Sequence, residues 1–297
     1  MTNTTKQRLI PIVFNLPALA IFVLVILYPI AKGISLSFHN TQLLMPPGAE
    51  LFIGLRNYEV MLRQEHFWNS LGVTAIYTVG VVLFSYLIGL GTALLLNGKF
   101  KGRKIARILM ILPWAVPEVA AVMTWRWILD YQYGVMNSFM SSTGLISANL
   151  GWLVDPKLSM VAVIMVTVWV QFPLATLMIL AGLQAISQTL KEAAVIDGAN
   201  RWQVFWNVTF PGLKPVNIVI VLLLTLYSFK RVTLIFLMTG GGPSRATEVL
   251  SILTYQQAFK NYRLGYASAI GTVMLVIMLA FSIIYLVVLS KRGKEMS

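Results

Sequence analysis

Glu118, Lys230 and Arg231 are ionisable residues set inside long apolar runs. A charge at the centre of a bilayer costs about 2.5–3.5 kcal/mol on insertion scales, so each must face a partner or a polar cavity. Two chemistries follow. In one, Glu118 pairs with Lys230 or Arg231, and the charges only hold helices together. In the other, one or both cations line a polar path and attract an anionic ligand. Another apolar run carries Trp169-Val170-Gln171-Phe172-Pro173-Leu174. An aromatic face and an amide suit a sugar ring and its hydroxyls. The plainer reading is helix packing, because Gln hydrogen-bonds across membrane helices. Ser228 is a further cavity candidate.

Other chemistry finds no residues to carry it. The histidines, His39 and His66, are far apart and belong to no cluster with metal-ligand spacing. The chain has no cysteine, hence no thiol nucleophile, disulfide or Cys metal site. The nearest match to a phosphate-binding Walker loop is Gly98-Lys99, but Ala93 stands where glycine is needed and Phe100 follows the lysine. The run Thr239-Gly240-Gly241-Gly242-Pro243 reads as a tight turn, since no Lys and Ser or Thr follow it. The chain is therefore expected to be no enzyme by itself and to hold no cofactor.

The polar stretch 187–215 separates two of the apolar runs. It reads as a short helix, a glycine stop and a second short helix. Ser187 is placed to cap a helix over Gln188 to Ile196, and Gly198 suits the left-handed conformation that ends one. Asn200 caps the next turn, and Pro211 is expected to close it. Trp202, Phe205 and Trp206 recur at helical spacing. On these residues alone an interfacial amphipathic helix competes with a docking element for a partner on the same side of the membrane.

These segments are held by a chain that is 58% hydrophobic and 11% charged, with a mean hydropathy of +0.77. Soluble domains carry about 25% charged residues, so the fold class is an all-α polytopic membrane protein. Long continuous apolar runs exclude the alternating pattern of a β-barrel. Spans of about 20 residues cross the bilayer. Six are expected, at roughly 10–31, 71–96, 105–128, 158–182, 216–239 and 265–290, in one domain over 1–297 without linkers. The first follows Lys6 and Arg8 and is read as a retained helix rather than a cleaved leader. Pro113 and Pro117 mark a bend in the third, where Trp125 and Trp127 read as interfacial belt residues.

The net charge of +13 sits in loops beside spans, which argues against nucleic acid. Lys99, Lys101, Arg103, Lys104 and Arg107 lie between spans two and three, Lys191, Arg201 and Lys214 flank the polar stretch, and Lys291, Arg292 and Lys294 follow span six. With six spans these segments and the N-terminus share one side, which the positive-inside tendency makes cytoplasmic.

The polar stretch resembles the EAA loop of binding-protein-dependent ABC importers. That pattern is roughly EAA, three residues, then GA, and an apolar helix ending in Leu-Pro or Phe-Pro. Glu192, Ala193, Ala194, Asp197, Gly198, Ala199, Gln203, Phe205 and Pro211 fall where it expects them. Two further signatures are similar to the carbohydrate branch: Gly54-Leu55-Arg56-Asn57-Tyr58, and the triple-glycine turn followed by Thr247-Glu248 and by Tyr255, Ala258 and Phe259. By its residues alone the first reads as a turn and a short helix capped near Asn57.

The resemblance implies one transmembrane subunit of a bacterial carbohydrate importer of the maltose/glycerol-phosphate type, in the inner membrane. Its implied partners are a second homologous permease, two ATPase subunits carrying ATP and Mg, and a periplasmic or extracellular substrate-binding protein. In that family the EAA loop docks into the ATPase, so Glu192 and Gly198 become an anchor and a hinge. A maltose-type relative contacts sugar through a Trp followed by Leu-Gly-Phe-Pro-Tyr. Trp169 matches, whereas Gln171 and Leu174 depart from it and point to an altered pocket. Relatives often carry Phe-Asp where this chain has Val232-Thr233, which leaves excess positive charge at Lys230 and Arg231 and keeps an anionic sugar derivative in view. An ion-gradient transporter would need buried acidic relays, for which only Glu118 qualifies. A non-transporting membrane scaffold is the remaining alternative.

Overall fold

A computed structural model describes residues 15–46 and 48–294. The expected charges at Lys6 and Arg8 lie outside them. By chain contacts the described residues divide into two units, 15–67 with Thr254–Ile277, and 68–253 with 278–294.

The first unit opens on α1 (Asn15–Ser37), which is apolar along its length. Two short antiparallel strands follow, β1 (His39–Asn40) and β2 (Leu51–Phe52), paired His39 to Phe52 and Asn40 to Leu51. In α2 (Arg56–Arg63) the N-cap is Leu55, so Asn57 does not cap the helix. Its buried side chain instead donates to the carbonyls of Ser37 at 2.8 Å and His39 at 3.0 Å, while Tyr58 bonds the Ser37 hydroxyl at 2.6 Å. The Asn-Tyr pair thus ties the helix to the end of α1, a long-range use that local capping rules do not see.

The second unit holds most of α3 (Glu65–Asn97), then α4 (Arg103–Ala115), α5 (Glu118–Ile128), α6 (Val135–Ser142) and α7 (Pro156–Ala185). Next come α8 (Gln188–Ile196), α9 (Arg201–Gly212), α10 (Lys214–Phe229) and α11 (Thr233–Met238). Beyond them α12 (Leu250–Tyr255) leads to α13 (Leu264–Lys294).

α7 is the central helix. In its most apolar stretch 61% of the residues are buried, against 28% in α3. Its side chains Ala162, Val163 and Val166 meet Tyr77 and Val81 of α3, Ala121 and Val122 of α5, and Leu234 and Ile235 of α11. Close approach of α3 and α7 depends on Gly89, where a Cβ would stand 2.5 Å from the Ala175 Cβ. Burying one apolar methylene contributes about 0.8 kcal/mol against water, but lipid is as apolar as the core, so tight packing of this kind must carry helix association.

Among the described residues, α1, α3, α7 and α13 are long and apolar enough to cross a membrane as single helices. The expected third span is not one rod. α4 and α5 meet at 95° across Val116 and Pro117, because proline cannot donate to the preceding turn. The expected fifth span is also broken: α10 ends at Phe229 and α11 begins at Thr233, while α9 enters α10 through a 66° bend at Leu213.

Candidate functional site

The α8–α9 element is built by local hydrogen bonds. The Ser187 side chain accepts from the Thr189 amide at 3.2 Å and starts α8. At the other end Asp197 is the C-cap, and Gly198 takes a left-handed φ of +85°. The Gly198 amide reaches the Val195 carbonyl at 3.0 Å, and the Ala199 amide reaches back to Ala194 at 2.9 Å. That pair of bonds is the Schellman motif, which satisfies the last carbonyls only if one residue is left-handed, hence the glycine. Asn200 then forms a reciprocal capping box with Gln203, at 2.9 Å and 2.8 Å. Pro211 does not close the second helix. A widened turn over Phe205–Thr209 lets the chain run helically past it to Gly212.

No residue of α8 is buried. Glu192 is exposed, with Gln188 bonding its carboxylate at 3.2 Å. An open groove beside it is lined by Lys191, Val195, Ile196, Ala199, Arg201 and Val204. Ile196 is 85% exposed. Trp202, Phe205, Trp206 and Phe210 stack in one aromatic patch with centroids 5.1–6.2 Å apart.

The second constellation lies among α5, α7 and α10. Arg231 Nη1 donates to Glu118 Oε1 at 2.7 Å. Neither residue sits mid-helix. Glu118 opens α5 directly after Pro117, where the helix N-terminus favours a carboxylate, and Arg231 lies in the break between α10 and α11. Ser251 Oγ donates to the Arg231 carbonyl, which the break leaves without a helical partner. Lys230 takes no part in the pair. It is exposed, with its ammonium 5.4 Å from the ring centre of Tyr227.

One turn before Arg231, the Ser228 hydroxyl donates to the Leu224 carbonyl at 2.7 Å and to Gln171 Oε1 at 3.3 Å. Both Ser228 and Gln171 are buried. Trp169 points elsewhere, because two residues along a helix turn the side chain by about 200°. Its ring meets Trp125 edge-on at 5.7 Å. Trp125 is thus a packing partner of α7, while Trp127 is exposed.

These contacts close a circuit: Gln171 to Ser228, along the chain to Arg231, across to Glu118, two turns along α5 to Trp125, and back to Trp169. Tyr77 of α3, bonded to Thr167 at 3.0 Å, lies within electrostatic reach of both Arg231 and Glu118. Sequence reasoning missed Trp125 and Tyr77. The seven-residue spacing of Glu118 and Trp125, which puts them on one helix face, was the available signal.

On the loop side of α3, Glu248 is buried and accepts from the Ser70 hydroxyl at 3.1 Å. Burial raises its carboxyl above the usual range, against the opposing pull of Ser70 and Arg245.

A family model described as the binding-protein-dependent transport system inner membrane component matches residues 85–294. The trehalose/maltose transport system permease protein MalF of Thermococcus litoralis is 38% identical over 91% of this chain and 90% of its own length. The sulfoquinovosyl glycerol transport system permease protein SmoG of Agrobacterium fabrum is 33% identical over 94% and 90%. A chain in the crystal structure of a bacterial ABC transporter that imports the acidic polysaccharide alginate superposes with a TM-score of 0.81 over 96% of both chains. At 22% identity it is a match of fold.

Proposed function

This chain belongs to the family of inner membrane components of binding-protein-dependent transport systems, and we propose that it is the six-span permease of an ATP-driven sugar importer. It is a membrane component and no enzyme by itself. In this reading the bent pair α4–α5 and the broken pair α10–α11 each count as one span, which with α1, α3, α7 and α13 gives six. Both termini and α8–α9 face the cytoplasm, as the clustered Lys and Arg support. A second homologous permease completes the pore. Two ATPase subunits bind ATP and Mg, and a substrate-binding protein delivers the sugar from outside.

The observation that carries the reading is the α8–α9 element. Two caps fix its shape, yet α8 buries nothing within its own chain. A rigid surface with exposed Val195, Ile196 and Trp202 beside Glu192 supports docking of an ATPase subunit. Glu192 anchors it, Ala193 and Ala194 give close approach, and Asp197, Gly198 and Ala199 set the angle to α9. Motion of the ATPases then passes through α9 into α10, which carries Ser228 and leads into Lys230 and Arg231. Gln171, Ser228, Arg231 and Glu118, with Lys230 beside the break and Trp169 on the opposite face of α7, are the residues of the substrate route. It alternates between inward- and outward-facing access.

The test is uptake by proteoliposomes holding the chain with its partner permease, ATPases and binding protein. ATP-dependent sugar uptake is expected. Uptake driven by an ion gradient without ATP would establish the secondary-transporter reading, and no uptake under either drive would leave a scaffold.

A further inference from the structure

The circuit around Arg231 has a one-sided deficit. Gln171 Nε2 and Arg231 Nε are both buried without an acceptor. Ser228 links them, since it donates to Gln171 and its carbonyl receives the Arg231 amide at 3.1 Å. Both orphan atoms are donors. A buried N–H without a partner is costly, and the cost is recovered only by a group that supplies acceptor oxygens. Glu118 meets a single nitrogen of the guanidinium, although arginine is shaped to hold an oxyanion with two parallel bonds. Glu118 is also the more accessible member of the pair, with 35% of its side chain exposed against 14% for Arg231. Arg231 stands in a helix break, its carbonyl held by Ser251 and its amide by Ser228, so the backbone fixes where the guanidinium is presented.

We infer that Glu118 is an internal stand-in for an anionic group on the transported sugar. The substrate carries a carboxylate, sulfonate or phosphate ester that takes over the Arg231 guanidinium, while its hydroxyls reach Gln171. This rests on the substrate route proposed above and names the class of sugar that uses it. Exchange needs no net charge change in the interior. Glu118 turns toward water as the ligand anion arrives, so an empty carrier never holds an unpaired guanidinium. A neutral sugar gains nothing at Arg231 and must leave the Glu118 pair in place. Lys230, exposed beside the same break, adds long-range attraction for the anion.

The test is equilibrium binding of labelled glucose, glucuronate, glucose 6-sulfate and glucose 6-phosphate to the purified permease–ATPase assembly, without binding protein. The expected result is tighter binding of at least one anionic sugar than of glucose, by tenfold or more. Glu118→Gln should strengthen that anion several-fold relative to glucose. The double variant Glu118→Gln/Arg231→Gln keeps a neutral pair, and its assembly is expected to survive with the preference erased. Equal binding of all four sugars, no binding up to millimolar concentration, or a preference that survives the double variant would each overturn the inference. Gln171→Leu separates this from failure of the route itself. If it leaves every sugar's binding unchanged, the route lies elsewhere, whatever the charge preference.

Discussion

The α8–α9 element and the Arg231 circuit solve opposite problems. In α8–α9 the polar groups are satisfied by neighbours within six residues, and the apolar side chains are left outside. In the circuit the polar groups are met only in part, by side chains far apart in sequence such as Glu118 with Arg231, and the apolar side chains are packed. The first is a complete backbone with an incomplete surface. The second is a complete core with incomplete hydrogen bonding. A piece of the first kind keeps its shape alone and waits for a protein partner. A piece of the second kind holds its helices together and waits for a small polar ligand.

Breaking either region should therefore fail differently. Glu192→Lys is expected to have the largest effect on transport. Reversing a docking charge should cost about 2–5 kcal/mol, so uptake falls by at least roughly tenfold while the chain inserts and purifies normally. Wild-type uptake in that variant would count heavily against docking. Arg231→Leu should act on stability instead. It strands Glu118 and should cost about 1–3 kcal/mol, at the low end for a severed pair because Glu118 is a third exposed and water screens it. Thermal unfolding of the purified assembly reads this, and an unchanged midpoint would mean the pair holds nothing.

Gly198→Val sharpens the contrast at smaller scale. A side chain there meets open space but must adopt a φ of +85°, which costs about 1–2 kcal/mol per residue. Uptake should fall while thermal stability drops by no more than that strain, whereas a larger loss would show that α8–α9 supports the core. The smallest effect is at Glu248. Its carboxyl holds a proton more tightly folded than unfolded, so its contribution to stability is full below the ordinary carboxylate pKa and is lost as pH rises through its raised value. Glu248→Gln should flatten that part of the stability–pH curve, and a curve unchanged in slope would assign the pH dependence to other groups.

The two regions also differed in how far residue order could reveal them. Ser187, Gly198 and Asn200 were legible as caps because capping is a matter of a few neighbouring residues. Pro211 misled, since a widened turn absorbed the missing donor. The pairing of Glu118 was legible in kind, because a charge among apolar residues needs a partner, but the choice of Arg231 over Lys230 depended on which way a broken helix turns. The contact of Trp125 with Trp169 lay beyond local rules, as it depends on how α5 packs on α7. Composition revealed the apolar helices, while the 95° bend at Pro117 appeared only as a proline pair.

The claim that α8–α9 is a finished backbone awaiting a protein can be tested by labelling. The chain has no cysteine, so Ile196→Cys and Gln171→Cys each give a single reactive site. Ile196 is 85% exposed and Gln171 is 3% exposed in the chain alone. Maleimide labelling should be fast at position 196 in the permease alone, strongly slowed when the ATPase subunits bind, and slow at position 171 in both states. Equal labelling at 196 with and without the ATPases would contradict the account.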